Sequence, residues 1–280
     1  MKKRVWGYVI SIYLACYGFR LWEYFGIRTD QTIIGEAFIH KIIDIMIMLI
    51  AMKRLQYSLE DIGIKKEGIV RYIVYGLLTG IGAFIIGYAT EIIFCIAQGD
   101  FPNISFYVSS YAIDKNIAMN QGIVFLLICI FGNILNVMME ESVFRGLFQK
   151  LFMNRYSFVI SAIICSVLFG LWHIIGPVRN YIDGISSLNG AIANVIMLFV
   201  SSGLIGFKFA MLSKLEGALY MGMADHFVNN AIVNLLHVTS TNGTDELMFM
   251  RITVAQTVSF IVVLIVFLKR IKHENQRELK

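Results

Sequence analysis

Three stretches of the chain place ionisable and amide side chains within otherwise apolar sequence. They are Glu140-Glu141-Ser142-Val143-Phe144-Arg145-Gly146, Phe169-Gly170-Leu171-Trp172-His173 and His226-Phe227-Val228-Asn229-Asn230. A carboxylate beside an imidazole in a poorly hydrated site can hold and deprotonate a water molecule. Amide and imidazole N–H groups one helical turn apart can donate to the oxyanion that forms on an attacked carbonyl. Together these residue types indicate hydrolysis of an amide bond.

Helical spacing assigns these residues to faces, because side chains three or four positions apart are neighbours and adjacent ones diverge by about 100°. Glu140 shares a face with Asn133 and Asn136, whereas Glu141 shares a different face with Arg145. Arg145 would keep the Glu141 carboxylate ionised and oriented. The spacing also predicts one continuous polar face on the third stretch, formed by His226, Asn230, Asn234 and His237.

The elements that must position these residues are membrane spans. The 280 residues are 58% hydrophobic and 15% charged, with a mean hydropathy of +0.71, whereas soluble chains are about 45–50% apolar and about 25% charged. This composition excludes a disordered chain and a secreted disulfide scaffold. The net charge of +5 does not indicate nucleic-acid binding, because the basic residues lie at the ends of apolar blocks, where they report topology.

The apolar blocks are long enough to cross a bilayer as helices. The sequence therefore predicts an all-α, polytopic membrane protein with about eight transmembrane helices. The predicted spans are 5–26, 33–52, 69–97, 121–148, 157–176, 188–207, 216–237 and 251–270. No linker rich in Pro, Gly or Ser divides the chain, so we expect a single membrane-embedded domain over residues 1–280, with a motif core at about 120–240.

The basic residues predict the orientation of these spans. Most of the 24 Lys and Arg residues fall in segments on one side of such an arrangement. Basic segments stay in the cytoplasm, so both termini are expected there. The basic residues expected on the opposite side are Arg28, Lys115, Arg179 and Arg251.

The position of the polar residues along their spans creates a conflict. Counting 1.5 Å per residue from the middle of each predicted span places Glu140 toward the cytoplasm, His226 near the centre and His173 toward the outer side. We therefore expect either that the span limits are wrong by a turn or more, or that the fifth helix is tilted or offset.

A structural interpretation of the same residues has to be weighed. A charged side chain at mid-membrane costs from about 2.5 to more than 10 kcal/mol, so such groups need partners or a purpose. Glu141 and Arg145 alone could form a structural ion pair, and a single histidine could simply bond to a neighbouring helix. Two glutamates, two histidines and an asparagine on three spans favour a functional site.

The three stretches resemble the EExxxR, FxxxH and HxxxN motifs of the CPBP family of intramembrane proteases. That family includes the Ras-converting CAAX prenyl endopeptidases and the bacterial Abi proteins. The motifs occur in the family's order, on the fourth, fifth and seventh predicted spans. The resemblance implies that Glu140 with His173 activates the attacking water, and that His226 with Asn230 supports the oxyanion. The implied supporting residues are Glu141 and Arg145.

The resemblance leaves the cofactor open, because the family has been described both as metalloproteases and as glutamate proteases. Zinc is commonly bound by carboxylates and imidazoles, so no cofactor is firmly predicted and a zinc ion is allowed. The absence of an HExxH pair, which would fix two imidazoles on one helix, slightly favours a metal-free site. The candidate zinc ligands are Glu140, Glu141, His173 and His226.

The sequence leaves three functions to compare. The first is an intramembrane endopeptidase acting on a membrane-associated or prenylated CAAX-type protein, or on a leader or bacteriocin-type peptide. The second is a non-catalytic immunity or scaffold protein that retains the motif residues as structural contacts. The third is a proton- or ion-coupled transporter, for which paired half-repeats or interrupted helices would be expected. The expected partners are a peptide or prenylated protein substrate and membrane lipid, without nucleic acid, and no oligomeric state is predicted.

Overall fold

The structure is a computed structural model that describes residues 4–32, 36–109, 119–120, 122–240, 243 and 245–278. Its α-helices in chain order are α1 (Val5–Trp22), α2 (Ile39–Leu55), α3 (Ile69–Ala97), α4 (Ile123–Glu140), α5 (Gln149–Met153), α6 (Phe158–His173), α7 (Ile175–Ile182), α8 (Leu188–Glu216), α9 (Tyr220–Leu235) and α10 (Met248–Glu278). Two π-helical segments, Glu23–Ile27 and Glu141–Phe148, follow α1 and α4 directly.

Two small antiparallel sheets complete the described fold. Strand β1 (Asn103–Phe106) pairs with β4 (Leu236–Thr239), and β2 (Val108–Ser109) pairs with β3 (Met119–Asn120). Both sheets use the connection after α3, and β4 begins directly where α9 ends. The strands therefore lie at one end of the helix bundle, where they tie the α3–α4 connection to the end of α9.

Among the described residues, five helices are long and apolar enough to cross a membrane. They are Ile69–Ala97, Ile123–Met153, Phe158–Ile182, Leu188–Glu216 and Met248–His273. The spans predicted at 5–26, 33–52 and 216–237 correspond to α1, α2 and α9, which do not reach that measure of length and apolarity. The all-α, polytopic membrane fold is confirmed, and the count of eight spans stays a prediction. Residues 33–35 of the second predicted span, residue 121 of the fourth, and the basic residues Lys2, Lys3, Lys115 and Lys280 lie outside the described part of the chain.

The conflict over the depth of the polar residues came from the predicted span limits. The fourth helix continues through the π-helical segment and α5, so Glu140 lies near the middle of a 31-residue element, Ile123–Met153. The fifth continues beyond its predicted end into α7, so His173 lies near the middle of the 25-residue element Phe158–Ile182. Residues near the middle of two spans reach the same depth, because each residue adds 1.5 Å of rise.

Close packing of α3 against α9 depends on two glycines four residues apart. A Cβ atom added at Gly76 would lie 2.3 Å from the Met221 carbonyl oxygen, and one at Gly80 would lie 2.8 Å from Cβ of Val228. Small residues at this spacing let two helix backbones approach closely. Because α9 carries His226 and Asn230, this contact sets the position of one wall of the polar site.

An aromatic core fixes the π-helical segment against α1 and α6. Phe144 packs edge-on against Trp172, with ring centroids 5.8 Å apart, and against Phe169 at 5.2 Å. Tyr13 of α1 contacts the other side of Trp172 at 6.2 Å. Burial of such rings dominates the energetics of cores. This core therefore holds the two motif stretches that carry Glu140 and His173 against each other.

Two polar contacts anchor the connection between α1 and α2. Glu23 is fully buried and accepts hydrogen bonds from the backbone N–H groups of Phe38 and Ile39, both at 3.0 Å, at the start of α2. A carboxylate at a helix N-terminus satisfies donors that have no partner within the helix. Arg28 then binds Asp183 at 2.7 Å, which ties this connection to the end of α7.

Candidate active site

The Glu140 carboxylate lies between the two motif imidazoles. Its Oε1 atom is 3.9 Å from Nε2 of His173, and its Oε2 atom is 3.5 Å from Nε2 of His226. Glu140 and His226 are buried, whereas the His173 side chain is 24% exposed. Three elements that are far apart in sequence thus bring one carboxylate and two imidazoles to a common point.

The His226 imidazole lies between the two adjacent glutamates. Its Nδ1 atom is 2.9 Å from Oε1 of Glu141, and its Nε2 atom faces Glu140. Phe209 of α8 stacks on the ring, with centroids 4.6 Å apart and planes inclined by 20°. The carboxylate of Glu141 accepts from Nδ1, which leaves Nε2 on the side of Glu140.

Arg145 closes the buried side of the site. Its Nη1 atom is 3.2 Å from Oε1 of Glu141, and its Nε atom donates to the Gly206 carbonyl at 3.3 Å. The guanidinium carbon lies 3.8 Å from the centroid of the Phe169 ring, a cation–π contact. Because both charged groups are buried, each needs the other as a partner.

The His173 ring has a defined tautomer in its neutral form. Its Nδ1 atom lies 2.8 Å from the Phe169 carbonyl oxygen, which can only accept, so Nδ1 carries the proton. The lone pair is then on Nε2, which faces Glu140. Trp172, the residue before His173, donates from Nε1 to Oε1 of Glu140 at 3.2 Å. One helix therefore presents both a donor to the carboxylate and an acceptor near it.

These groups line a cavity of about 800 Å³. Its polar wall includes the amides Asn133, Asn136, Asn229, Asn230 and Asn234 together with Glu140, His173 and His226. Its apolar wall is formed by α8 and α10. Ile196, Val200 and Leu204 of α8 line the cavity and are half or more exposed. An opening of the cavity between these two helices would lie at this apolar wall.

His237 was predicted to belong to the polar face of α9 but does not lie on that helix. The helix ends at Leu235, and His237 lies in β4, where its Nδ1 is 3.0 Å from Asp245 and its Nε2 is 3.2 Å from the Tyr107 carbonyl. The prediction was wrong because helical spacing was extended past the point where the chain becomes a strand. Pairing of β4 with β1 turns His237 away from Asn234, which does line the cavity.

Sequence reasoning missed three residues of this site. Arg20, which falls within the predicted span 5–26 and had no assigned role, lines the cavity and stacks over Trp172 at 4.3 Å. Trp172 was part of a motif but had no assigned role. Lys208 directly follows the predicted span 188–207, on the side expected to be cytoplasmic, yet it is fully buried within α8 and forms an ion pair with Asp225 at 2.5 Å. An ionisable residue inside an apolar block was the available signal for Arg20.

The candidate zinc ligands do not form a complete metal site. Among the described residues, no group of three or more His, Cys, Asp or Glu side chains is arranged to hold a metal ion. Oε1 of Glu141 is shared between His226 and the Arg145 guanidinium, and a neighbouring guanidinium repels a cation. Glu140 and the two Nε2 atoms remain next to one another at the cavity wall.

Comparison with known proteins agrees with the motifs. Residues 122–232 match the family model described as Type II CAAX prenyl endopeptidase Rce1-like. The matched segment contains all three motif stretches and lies within the predicted core, so the resemblance to the CPBP family is confirmed. At the level of the family, this similarity supports a CAAX-type intramembrane protease, and the apolar helices make the chain an integral, multi-pass membrane protein. No curated protein sequence matches the chain.

Proposed function

We propose that the protein is an intramembrane endopeptidase that uses a water activated by Glu140 and His173. One observation carries this proposal: the Glu140 carboxylate lies 3.9 Å and 3.5 Å from two imidazole Nε2 atoms at the wall of a large cavity within the bundle. A base acts on a proton within direct hydrogen-bond reach or through one water. The 3.9 Å separation of Glu140 and His173 suits a water that bonds to both.

Glu140 is proposed as the general base. The oxygen of the bound water forms a bond to the scissile carbonyl carbon, and its proton passes to Glu140. The C–N bond then breaks, and the same proton is delivered to the leaving amine. His173 orients the water through Nε2, because its Nδ1 proton is held by the Phe169 carbonyl. Trp172 holds the Glu140 carboxylate in place.

His226 and Asn230 are proposed to stabilise the oxyanion. They lie one helical turn apart on α9, and both line the cavity. His226 donates from Nε2 when the ring carries its second proton, and Glu141 then holds Nδ1. Donors placed where charge develops in the transition state supply much of the rate enhancement in such sites. Arg145 is proposed to keep Glu141 in position.

The shape of the cavity supports a substrate with both a peptide and an apolar part. The polar wall would receive the backbone of the peptide near the scissile bond. The apolar wall between α8 and α10 would receive a lipid chain or an apolar helix from the membrane. Prenylated CAAX-type proteins and leader or bacteriocin-type peptides are the proposed substrates, and nucleic acid is not. We further propose one membrane domain with both termini in the cytoplasm.

The experiment is cleavage of a peptide panel by the purified full-length protein in detergent. The panel contains farnesylated CAAX peptides and bacterial leader peptides. The wild type is expected to cleave at least one of these peptides, and Glu140→Gln is expected to cleave none. His173→Ala is expected to cleave at a rate at least about 100-fold lower than that of the wild type. Glu60→Gln makes the same chemical change on an exposed loop and should leave cleavage unchanged.

Two results would contradict this proposal. Equal cleavage by the wild type and Glu140→Gln would show that Glu140 is not the base. No cleavage of any peptide by the folded wild type would favour the non-catalytic membrane partner. A third result would correct the mechanism and leave the proposed protease activity in place. Activity is expected to survive treatment with a metal chelator. If the protein instead holds stoichiometric zinc and loses activity when the zinc is removed, a metal-dependent mechanism applies.

A further inference from the structure

A fully buried lysine lies behind the candidate site. Lys208 of α8 contacts three acceptors with its ammonium group: Asp225 at 2.5 Å, Gln256 Oε1 at 2.8 Å and Ser259 Oγ at 3.1 Å. An ammonium has three N–H donors, so this set uses all of them. Charged groups inside a membrane protein are costly and commonly functional. The ion pair adjoins the site directly, because Asp225 precedes His226.

A chain of amide groups runs from this lysine to the cavity. Gln256 of α10 donates from Nε2 to Oδ1 of Asn229 at 2.8 Å. Asn229 in turn donates from Nδ2 to Oδ1 of Asn230 at 3.0 Å. The order is therefore Lys208, Gln256, Asn229 and Asn230, and it ends at the proposed oxyanion donor.

The lysine fixes the direction of this chain. An amide group can present either its oxygen or its NH₂ group to a neighbour, and the two orientations have nearly the same shape. Lys208 can only donate, so Gln256 must turn its oxygen toward it and its NH₂ group toward Asn229. The same reasoning then turns the Asn229 NH₂ group toward the oxygen of Asn230. The Asn230 NH₂ group is left for the cavity.

We propose that Lys208 and Gln256 are positioning residues that orient the Asn230 amide as an N–H donor for the reaction. This inference rests on the proposed function, in which Asn230 stabilises the oxyanion. Without the lysine, either orientation of the three amides would satisfy their mutual hydrogen bonds. In the reversed orientation Asn230 would present an oxygen to the oxyanion, which repels it. The network thus selects the catalytically useful orientation.

The inference also makes α10 part of the active site. Gln256 lies outside the segment 122–232 that matches the protease family model. Its side chain lines the cavity and connects α8 to α9. A merely structural role for Lys208, as the counter-ion of Asp225, does not require Gln256 to have any effect on the chemistry. The test is therefore made at Gln256, which leaves the buried ion pair intact.

The decisive variant is Gln256→Glu. The carboxylate still accepts from Lys208 but cannot donate to Asn229, so the direction of the chain is lost. It also adds one negative charge beside the Lys208–Asp225 ion pair, and the Asn230→Ala background described next separates the effect of that charge from the loss of positioning. With the farnesylated CAAX or leader peptide that the wild type cleaves best, kcat is expected to fall about 10- to 100-fold with KM within about twofold. Gln98→Glu, an equivalent change at an exposed position, should leave both constants unchanged.

A second experiment, made in the Asn230→Ala variant, distinguishes a loss of amide positioning from general damage to the site. Asn230→Ala removes the donor itself, and Gln256→Glu added to it should cause no further loss of kcat, because the two changes act on one interaction. Wild-type kcat in Gln256→Glu, a change in KM alone, or full additivity with Asn230→Ala would each overturn the inference. In those cases Glu140→Gln would still be inactive and the proposed function would stand. Failure of the wild type to cleave any peptide would remove both.

Discussion

Two neighbouring glutamates contact one imidazole from different sides. Adjacent residues of a helix diverge by about 100°, yet Glu140 and Glu141 both reach His226, at 3.5 Å and 2.9 Å. The ring enters between their two directions and is held in its plane by Phe209. Glu141 is bound to Arg145 on its other side, so its carboxylate is used to hold groups in place. The two glutamates therefore have separate tasks although they are neighbours.

Glu141→Gln tests this division. The amide cannot orient His226 as the carboxylate does, and a misoriented catalytic imidazole lowers kcat by about 10²- to 10⁴-fold. The change also leaves Arg145 buried without a carboxylate, which costs about 3–5 kcal/mol of stability. We expect a lower kcat together with a lower Tm, measured by peptide cleavage and thermal unfolding. Unchanged Tm with unchanged kcat would contradict both roles, and Glu60→Gln again serves as the matched exposed control.

At the scale of single residues, the sequence predicted much of the site. Spacing and residue type identified Glu140, His173 and His226, and the structure brings all three together, while their catalytic roles stay predictions. The sequence could not indicate that Lys208 is buried, because its partners Asp225 and Gln256 lie far along the chain on other helices. A lysine at the end of an apolar block has the same pattern as one that faces the cytoplasm.

Among the helices, α8 constrains the site by its close approach to Arg145. A Cβ atom at Gly206 would lie 2.6 Å from Nη2 of Arg145 and 3.0 Å from the Phe169 ring. The Gly206 carbonyl is also an acceptor for Nε of Arg145. A glycine is required here because the guanidinium fills the space that a methyl group would occupy.

Gly206→Ala should therefore displace Arg145 and release Glu141. Overpacking of this kind costs about 1–3 kcal/mol, and we expect a lower Tm and a kcat reduced about 10-fold or more. Gly82→Ala is the matched control on α3, because its added Cβ meets nothing within 4 Å. Equal kcat and Tm in the two variants would show that the contact with Arg145 does not constrain the site.

A second inter-element contact depends on pH. Burial by itself raises the pKa of Asp183, but the hydrogen bond and charge of Arg28, together with the charge of Arg179, outweigh it and hold this pKa below its usual range. A carboxyl group with a lowered pKa in the folded state stabilises the fold above its unfolded-state pKa of about 3.9. That contribution is lost as the pH falls through the folded-state pKa.

Asp183→Asn should accordingly lower Tm by a few degrees at neutral pH. The difference from the wild type should stay constant down to about pH 5 and disappear as the pH falls toward about pH 2. Thermal unfolding across this range measures it, and Glu67→Gln, an exposed position on the α2–α3 connection, is the control. A difference that is the same at every pH would mean that the Arg28 contact does not involve the ionised carboxylate.

Element boundaries were less predictable than element types. The helical pattern ran on past Leu235, although β-branched Val238 and Thr239 favour a strand. The strand itself is stabilised by pairing with β1, more than 120 residues earlier, which no local pattern contains. The span limits at 148 and 176 were set too short for a different reason. A polar residue ends an apolar run in the sequence without ending the helix.

At the scale of the whole molecule, one cavity joins the polar site to an apolar wall formed by α8 and α10. Several residues of α8 that line the cavity, including Val200, are half or more exposed, which allows an opening at this wall. Such an opening would let an apolar group enter from the bilayer while the peptide enters from the aqueous side. The two proposed substrate classes differ in how much they depend on this route.

Val200→Trp narrows the route and should separate the substrate classes. The larger ring should raise KM for a farnesylated CAAX peptide about 10-fold and change KM for a leader peptide less than about twofold. Val70→Trp, at an exposed position near the start of α3, is the matched control. Equal effects on both peptides would indicate that the lipid chain does not pass between α8 and α10.

The π-helical segment Glu141–Phe148 has a consequence for changes in chain length. One residue of an α-helix corresponds to about 100° of rotation. A π-helical stretch holds more residues per turn than an α-helix does. Deleting a single residue such as Leu147 would let the segment rewind as α-helix and keep α5 in phase with Glu140, whereas inserting a residue would turn α5 by about 100°. A single-residue deletion in this segment should therefore be tolerated better than a single-residue insertion. The placement of α5 relative to the glutamate pair is thus set by the phase of the helix as well as by its side chains.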